Sequence, residues 1–288
     1  MEQATPRWIA VICWLCLASM LSWMVAGVPT LGWHPVPLFL LTVPVSVVLS
    51  ARRYGFRGAS VYWLISIVIS NFWEDISVAY GFPFGNYHYT LGPKIFFVPF
   101  FVGPIYASLG YLSWIVANWI LGQADRKIGK MGNLFMLPLV SGAVMTMWDV
   151  VTDPQASTFG GTWIWQNGGD YFGVPVSNFL GWWFVTYCFY QAFAIYIWKS
   201  RRPVPEDTSV AGNLVPILLY GGMGLSVIED FMVGGKKKGP VTDALGVTWR
   251  YDHLLGTMTV VTLFTMVFAA LIALHRWREA RAEGQASS

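Results

Sequence analysis

Acidic residues recur in close pairs inside apolar sequence. ISNFWEDISVAY, residues 69–80, holds Glu74 and Asp75; MWDVVTDP holds Asp149 and Asp153; SVIEDFMVGG holds Glu229 and Asp230. An ionised Asp at the centre of a membrane helix costs roughly 2.5–3.5 kcal/mol on insertion scales, so such groups persist only where something offsets that cost. Burial, a neighbouring carboxylate and a helix C-terminus each disfavour the charged form. A cluster under all three influences is expected to hold neutral acids, suited to giving a proton away.

The elements that must position these groups are membrane helices. The chain has 288 residues, of which 55% are hydrophobic and 11% charged, and it carries 16 tryptophans. With a mean hydropathy of +0.52 and apolar windows along its whole length, it reads as one all-α, polytopic membrane bundle. Eight windows have the length of a span: residues 8–27, 36–51, 59–80, 95–121, 133–152, 177–198, 212–233 and 253–274. The second is short and carries Pro37 and Pro44. The first follows Arg7 and reads as an anchor, its apolar run being long for a signal peptide. Residues 1–275 form one transmembrane domain on this reading, and 276–288 a polar cytoplasmic tail.

Basic residues orient the bundle. One side holds Arg7, Arg52, Arg53, Arg57, Arg126, Lys127, Lys130, Lys199, Arg201, Arg202, Arg276, Arg278 and Arg281. The other holds Lys94, Lys236, Lys237, Lys238 and Arg250, of which the lysine triplet is a misfit. The excess places both termini in the cytoplasm of a multi-pass cell-membrane protein. Distributed between spans, these charges make no patch for nucleic acid. Cys13, Cys16 and Cys188 supply no disulfide framework, and the CxxC of the first two lies in an apolar run without partner cysteines, as helix packing.

In this orientation the third, fifth and seventh windows all end at the outer side. All six carboxyl groups then lie in the outer half of the membrane at comparable depth. Helical spacing places Ser66, Ser70, Glu74 and Ser77 on one stripe, with Asn71 and Asp75 beside it, and Gly142, Thr146, Asp149 and Asp153 on another. Ser226 precedes Glu229 and Asp230 by one turn, and spacing does not choose between those two. Three polar stripes can line one cavity.

Two aromatic connections flank these helix ends. GFPFGNYHYTLGPK, residues 81–94, contains Tyr87 and Tyr89, and residues 152–183 contain Trp163, Trp165, Tyr171, Phe172, Asn178 and Trp182. Trp73 and Trp148 adjoin the acids. These rings suit either anchoring at the membrane interface or the wall of an apolar tunnel that stabilises a cationic intermediate. Asp153 before Pro154 also suits a turn, while Asn178 and Asp252 suit caps of the sixth and eighth helices. Four dispersed histidines do not supply the ligands of a membrane di-iron oxygenase, and no zinc motif or Walker loop occurs. DVVTD, residues 149–153, has magnesium-diphosphate spacing but lacks a second such motif and a basic clamp.

PFGNYHYTLGPKIFFVPFFVGP and DPQASTFGGTWIWQNGGDYFGVPVSNFLGWW resemble the integral-membrane carotenoid hydratase family (the gamma-carotene 1′-hydratase and bisanhydrobacterioruberin hydratase type) across residues 70–185. The resemblance implies cofactor-independent addition of water to the terminal isopropylidene double bond of a polyene. It matches Glu74 or Asp75 to the acid preceding the PFG loop and Asp153 to the DP motif. Protonating such an alkene gives a tertiary cation, with Glu74 as donor and Asp149 or Asp153 orienting water. The same acids would serve a protonation-initiated terpene cyclase, or a proton-coupled transporter. Membrane lipid and an apolar polyene or terpenoid are the expected partners.

Overall fold

The computed structural model describes residues 5–26, 34–234 and 239–286; Lys236, Lys237 and Lys238 lie outside them. The molecule is a helical bundle capped at one end by short antiparallel ladders. Helix α1 spans Arg7–Val25, α2 Pro35–Tyr80, α3 Val102–Ile120, α4 Met131–Pro154 and α5 Val176–Ser200. Helix α6 spans Val215–Glu229, α7 Tyr251–Thr262 and α8 Phe268–Ala286. Wider π turns extend α4 at Gln155–Phe159, flank α6 at Val210–Leu214 and Asp230–Gly234, and join α7 to α8 at Leu263–Val267.

Among the described residues the apolar windows of the sequence fall on helix, with three differences in extent. The second and third windows form the single 46-residue α2, bent where Gly55 takes φ 70° and ψ 165°. Only glycine adopts that geometry without strain, so a hydropathy gap at Arg52–Arg57 becomes an elbow instead of a loop. The fourth helix starts at Val102, not 95, because residues 94–99 turn back as a hairpin of β2 (Lys94–Ile95) and β3 (Val98–Pro99). The last helix runs on through the polar tail to Ala286.

Among the described residues, five helices are long and apolar enough to cross a membrane: Arg7–Val25, Pro35–Tyr80, Met131–Phe159, Val210–Val233 and Tyr251–Gly284. Helix α3 sits at the centre, buried along nearly its whole length and packed against α2, α4, α6 and α8. Trp114 donates to the Tyr54 hydroxyl at 2.7 Å, Trp119 donates to Asn213 Oδ1 at 2.8 Å, and Asn118 Oδ1 accepts the Asp125 N–H at 2.9 Å. Tyr62 and Tyr190 both donate to α3 carbonyls, those of Ala107 and Gly110, at 2.8 and 2.7 Å.

At the elbow end of α2, Arg53 clamps Asp125 bidentately at 2.7 and 2.8 Å, and Tyr54 donates to the same carboxylate at 2.8 Å. Burial pushes the Asp125 carboxyl up, but the guanidinium outweighs it and holds the group below the usual carboxylate range. Arg52 pairs with Asp207 alongside. These pairs fix the elbow against the α3–α4 and α5–α6 connections at the end of the bundle opposite the acids.

Candidate functional site

The site is assembled where α2, α3, α4 and α5 meet the two aromatic connections. Gly81, left-handed at φ 80°, ends α2, and its N–H bonds the Ser77 carbonyl at 2.7 Å. Ser77, on the polar stripe, then fastens the connection, accepting from the Phe84 N–H and donating to the Gly85 carbonyl, each at 3.1 Å. From there Tyr87–Tyr89 forms β1, which pairs antiparallel with β4, Trp163–Trp165; Tyr87 faces Trp165 and Tyr89 faces Trp163. The two connections are thus a single ladder. Its twofold alternation sends Tyr87, Tyr89, Trp163 and Trp165 to one face, over the acids, and leaves His88 exposed.

Beneath the ladder, Glu74 is buried and held by three hydroxyls. Tyr87 and Tyr89 donate to Oε2, the latter at 2.9 Å, and Tyr106 donates to Oε1 at 2.6 Å. Burial first, then the charge of Glu74, keeps the hydroxyls of Tyr87 and Tyr89 well above the usual tyrosine range, so both stay protonated. Tyr106 also stacks on Trp182, ring centroids 4.4 Å apart and planes 11° off parallel.

Across the site, Asn178 bridges the α4 acids. Its Nδ2 donates to Asp149 Oδ2 and Asp153 Oδ2, each at 2.7 Å. Asp153 Oδ1 accepts from the indoles of Trp163 at 3.2 Å and Trp165 at 3.3 Å. Asn178 therefore does not cap its helix, whose first flanking residue is Pro175 without a side-chain cap; carboxylates within reach outcompete the amides. Nor does Asp153–Pro154 make a turn. Proline ends α4 only in name, since the helix widens into its π turn and keeps Asp153 pointing inward. Asp252 likewise lies inside the first turn of α7, paired with Arg250, and not at the cap.

Glu74 and Asp153 line one cavity of about 80 Å³ with Tyr87, Tyr89, Tyr106, Trp148, Trp163, Trp165, Asn178 and Trp182. Its remaining walls are apolar, from Pro35, Leu38, Phe84, Leu91, Phe101, Val102 and Ile105, with Thr162. Asp149 stands behind, linked through Asn178.

Other candidates lie elsewhere. Asp75 faces away and accepts the Phe97 N–H at 3.0 Å. Trp73 packs edge-on against Phe72, Phe82 and Phe184 on the outer surface. Tyr171 packs on Phe172 and Phe179 and points its hydroxyl at Met258 Sδ, 3.6 Å away. Glu229 and Asp230 sit where α6 widens, with Asp230 buried near Tyr251, and neither lines the cavity. Tyr106, which bonds Glu74, is a polar residue of the candidate site that sequence reasoning missed. Its signal was a tyrosine in the first turns of the helix that follows the Glu74 connection, hence at the same membrane depth. Among the described residues, no three His, Cys, Asp or Glu side chains come together to hold a metal.

A profile of the carotenoid biosynthesis protein family matches residues 33–233. The chain belongs to that family. No curated relative and no solved structure matches it. The matched stretch takes in every residue that lines the cavity. The protein is accordingly a carotenoid-biosynthesis membrane protein.

Proposed function

We propose that this family member is a carotenoid hydratase. Glu74 protonates the terminal C=C of a polyene, and Asp153 takes a proton from the water that traps the tertiary cation. Atoms balance: the alkene gains H from Glu74 and OH from water, and the proton left on Asp153 returns to Glu74.

The observation that carries this reading is the difference in kind between the donors on the two carboxyls. Tyrosine hydroxyls both donate and accept. A protonated Glu74 can therefore keep its partners by turning one hydroxyl around, and all three hydroxyls can donate to the anion that forms as the proton leaves. Indole N–H and amide NH₂ groups only donate, and three of them hold Asp153, outnumbering the Ser157 hydroxyl beside it, so Asp153 is equipped chiefly as an acceptor. An acid and a base on one aromatic-walled cavity suit proton addition followed by water capture. The rings of Trp148, Trp163, Trp165 and Trp182 would face the cation. At about 80 Å³ the cavity suits an extended chain end with a water, each water needing roughly 10–15 Å³. Cyclisation needs the chain to fold back, which favours a wider chamber.

The reading places eight spans in the cell membrane, the two arms of α2 counted separately, with both termini cytoplasmic and the site in the outer half. It is tested by product mass. In cells making lycopene, the protein should yield a polyene heavier by one water, and Glu74→Gln should abolish it while leaving the fold intact. A new product of unchanged mass would point to cyclisation, and normal turnover by Glu74→Gln would end the assignment of the acid.

A further inference from the structure

Asp75 sits beside the acid of the site yet never enters the cavity, so its work must lie elsewhere. Its Oδ1 accepts the backbone N–H of Phe97 at 3.0 Å. Phe97 belongs to the turn of the β2–β3 hairpin, whose base is held by Lys94 Nζ donating to the Tyr89 carbonyl at 2.6 Å. The hairpin is thus tied at its tip to α2 and at its base to a wall tyrosine of the site.

The tip is built for an apolar surrounding. Phe96 is 85% exposed, and Ile95, Phe97 and Phe100 are each at least half exposed. Phe96 also takes φ 55°, a left-handed turn position where glycine or asparagine is the easy choice. A large ring kept there, against backbone preference and without protein contact to bury it, indicates a partner outside the chain. An exposed aromatic run beside membrane helix ends fits acyl lipid.

The cavity reaches the surface at the same place. Most of its lining is buried, but Pro35, Leu91, Phe101 and Trp163 are half-buried. Leu91 and Phe101 flank the hairpin in sequence, and Pro35, the first residue of α2, lines the same cavity. None of the four carries a charge.

We infer that this is a lateral portal from the bilayer to the cavity, that the Ile95–Phe97 tip is seated in lipid as one post of the portal, and that Asp75 is the positioning residue holding that post. The inference rests on the proposed function for its substrate class, a long apolar chain dissolved in the membrane. It also gives two adjacent carboxylates different roles, Glu74 facing the chemistry and Asp75 the access route.

Two measurements test it. In nanodiscs, a nitroxide on Phe96→Cys, with Cys188→Ala and the buried Cys13 and Cys16 left in place, should be relaxed by dissolved oxygen and protected from a water-soluble nickel chelate. Adding Asp75→Ala should mobilise that label. In turnover of lycopene, Asp75→Ala should raise KM several-fold with kcat held within about twofold, the pattern of impaired access. Asp75→Asn keeps an oxygen for the Phe97 N–H and should match the wild type in both assays. A label reached mainly by the chelate, or Asp75→Ala with unchanged KM and label mobility, would overturn the portal. Loss of kcat in Asp75→Asn, as in Glu74→Gln, would overturn the positioning role in favour of proton chemistry. A wild type inert on every polyene would count against the hydratase, and the label would then decide the lipid seating of the hairpin by itself.

Discussion

Removing one hydroxyl from the Glu74 cradle tests the proposed acid most sharply. Tyr106→Phe deletes the donor at 2.6 Å from Oε1 and leaves the ring on Trp182, so the cavity wall is preserved. Oε2 keeps Tyr87 and Tyr89. A hydrogen bond to a charged group contributes about 1.5–3 kcal/mol. If Glu74 gives up its proton in the slow step, that contribution is largest when the carboxylate has formed, so it acts on the transition state more than on the bound substrate. Dividing by about 1.36 kcal/mol per decade gives a fall in kcat of roughly 10- to 150-fold. The hydroxyl touches the acid and not the hydrocarbon, so KM should stay near the wild-type value. Steady-state hydration of lycopene by purified protein in nanodiscs, quantified by chromatography, measures both constants. An unchanged kcat would refute the hydroxyl cradle as the means by which Glu74 acts. A rise in KM alone would mean that Tyr106 contacts substrate instead.

Asn178→Leu removes the donor shared by Asp149 and Asp153; kcat should fall by on the order of a hundredfold, two charge-assisted bonds being lost, with a modest fall in Tm, because two buried carboxyls lose a donor although no helix cap is removed. A large drop in Tm with kcat retained would identify a structural role. At the elbow, Arg53→Met leaves Asp125 buried without its cation and should destabilise the fold by about 3–5 kcal/mol, seen as a lower Tm in detergent. Arg53→Met combined with Asp125→Leu should recover most of that loss, and a double variant no more stable than the single one would show the pair to be net stabilising.

The helices were legible because apolar windows of span length have few other uses, and the Glu74 stripe was legible because a period of 3.6 places Ser66, Ser70 and Ser77 with it on the buried face. Joining two windows at Gly55 was not, since a single backbone angle leaves no trace in hydropathy. The YHY and WIW triplets carried the alternation of strands, but three residues are too few for a period to stand out against a reading as interface aromatics. That pairing nevertheless decides the site: it sets Trp163 and Trp165 over Asp153 and Tyr87 and Tyr89 over Glu74. Asn178 was read as a cap because local rules compare a side chain with its own helix, and its true partners are one helix away. The Glu229–Asp230 pair resembled the Glu74–Asp75 pair in sequence, yet α6 faces α1, α3 and α7, so equal depth did not bring equal company.

Carboxyl groups in a membrane raise the question of what offsets their cost, and the answer differs along the chain. Asp125 is offset by a cation, which fixes its charge and makes it useless for proton transfer. Glu74 and Asp153 have no such partner in the cavity and are held by neutral donors instead. Neutral donors offset less, but they leave a carboxyl free to change protonation state within the reaction. On the proposed reading the types of donor divide the labour, because hydroxyls can follow a proton on and off Glu74, whereas the indoles and the amide NH₂, which outnumber the Ser157 hydroxyl beside Asp153, can only welcome charge there. In the proposed hydration, such a pair needs its proton returned after each turnover. Both groups line the same small cavity, so water that enters as the product leaves can carry it from Asp153 to Glu74. In the proposed reaction, the slot that would limit the substrate to an extended end would also limit the site to the few waters this return requires, so that a cation formed there would meet water held in the cavity before bulk solvent.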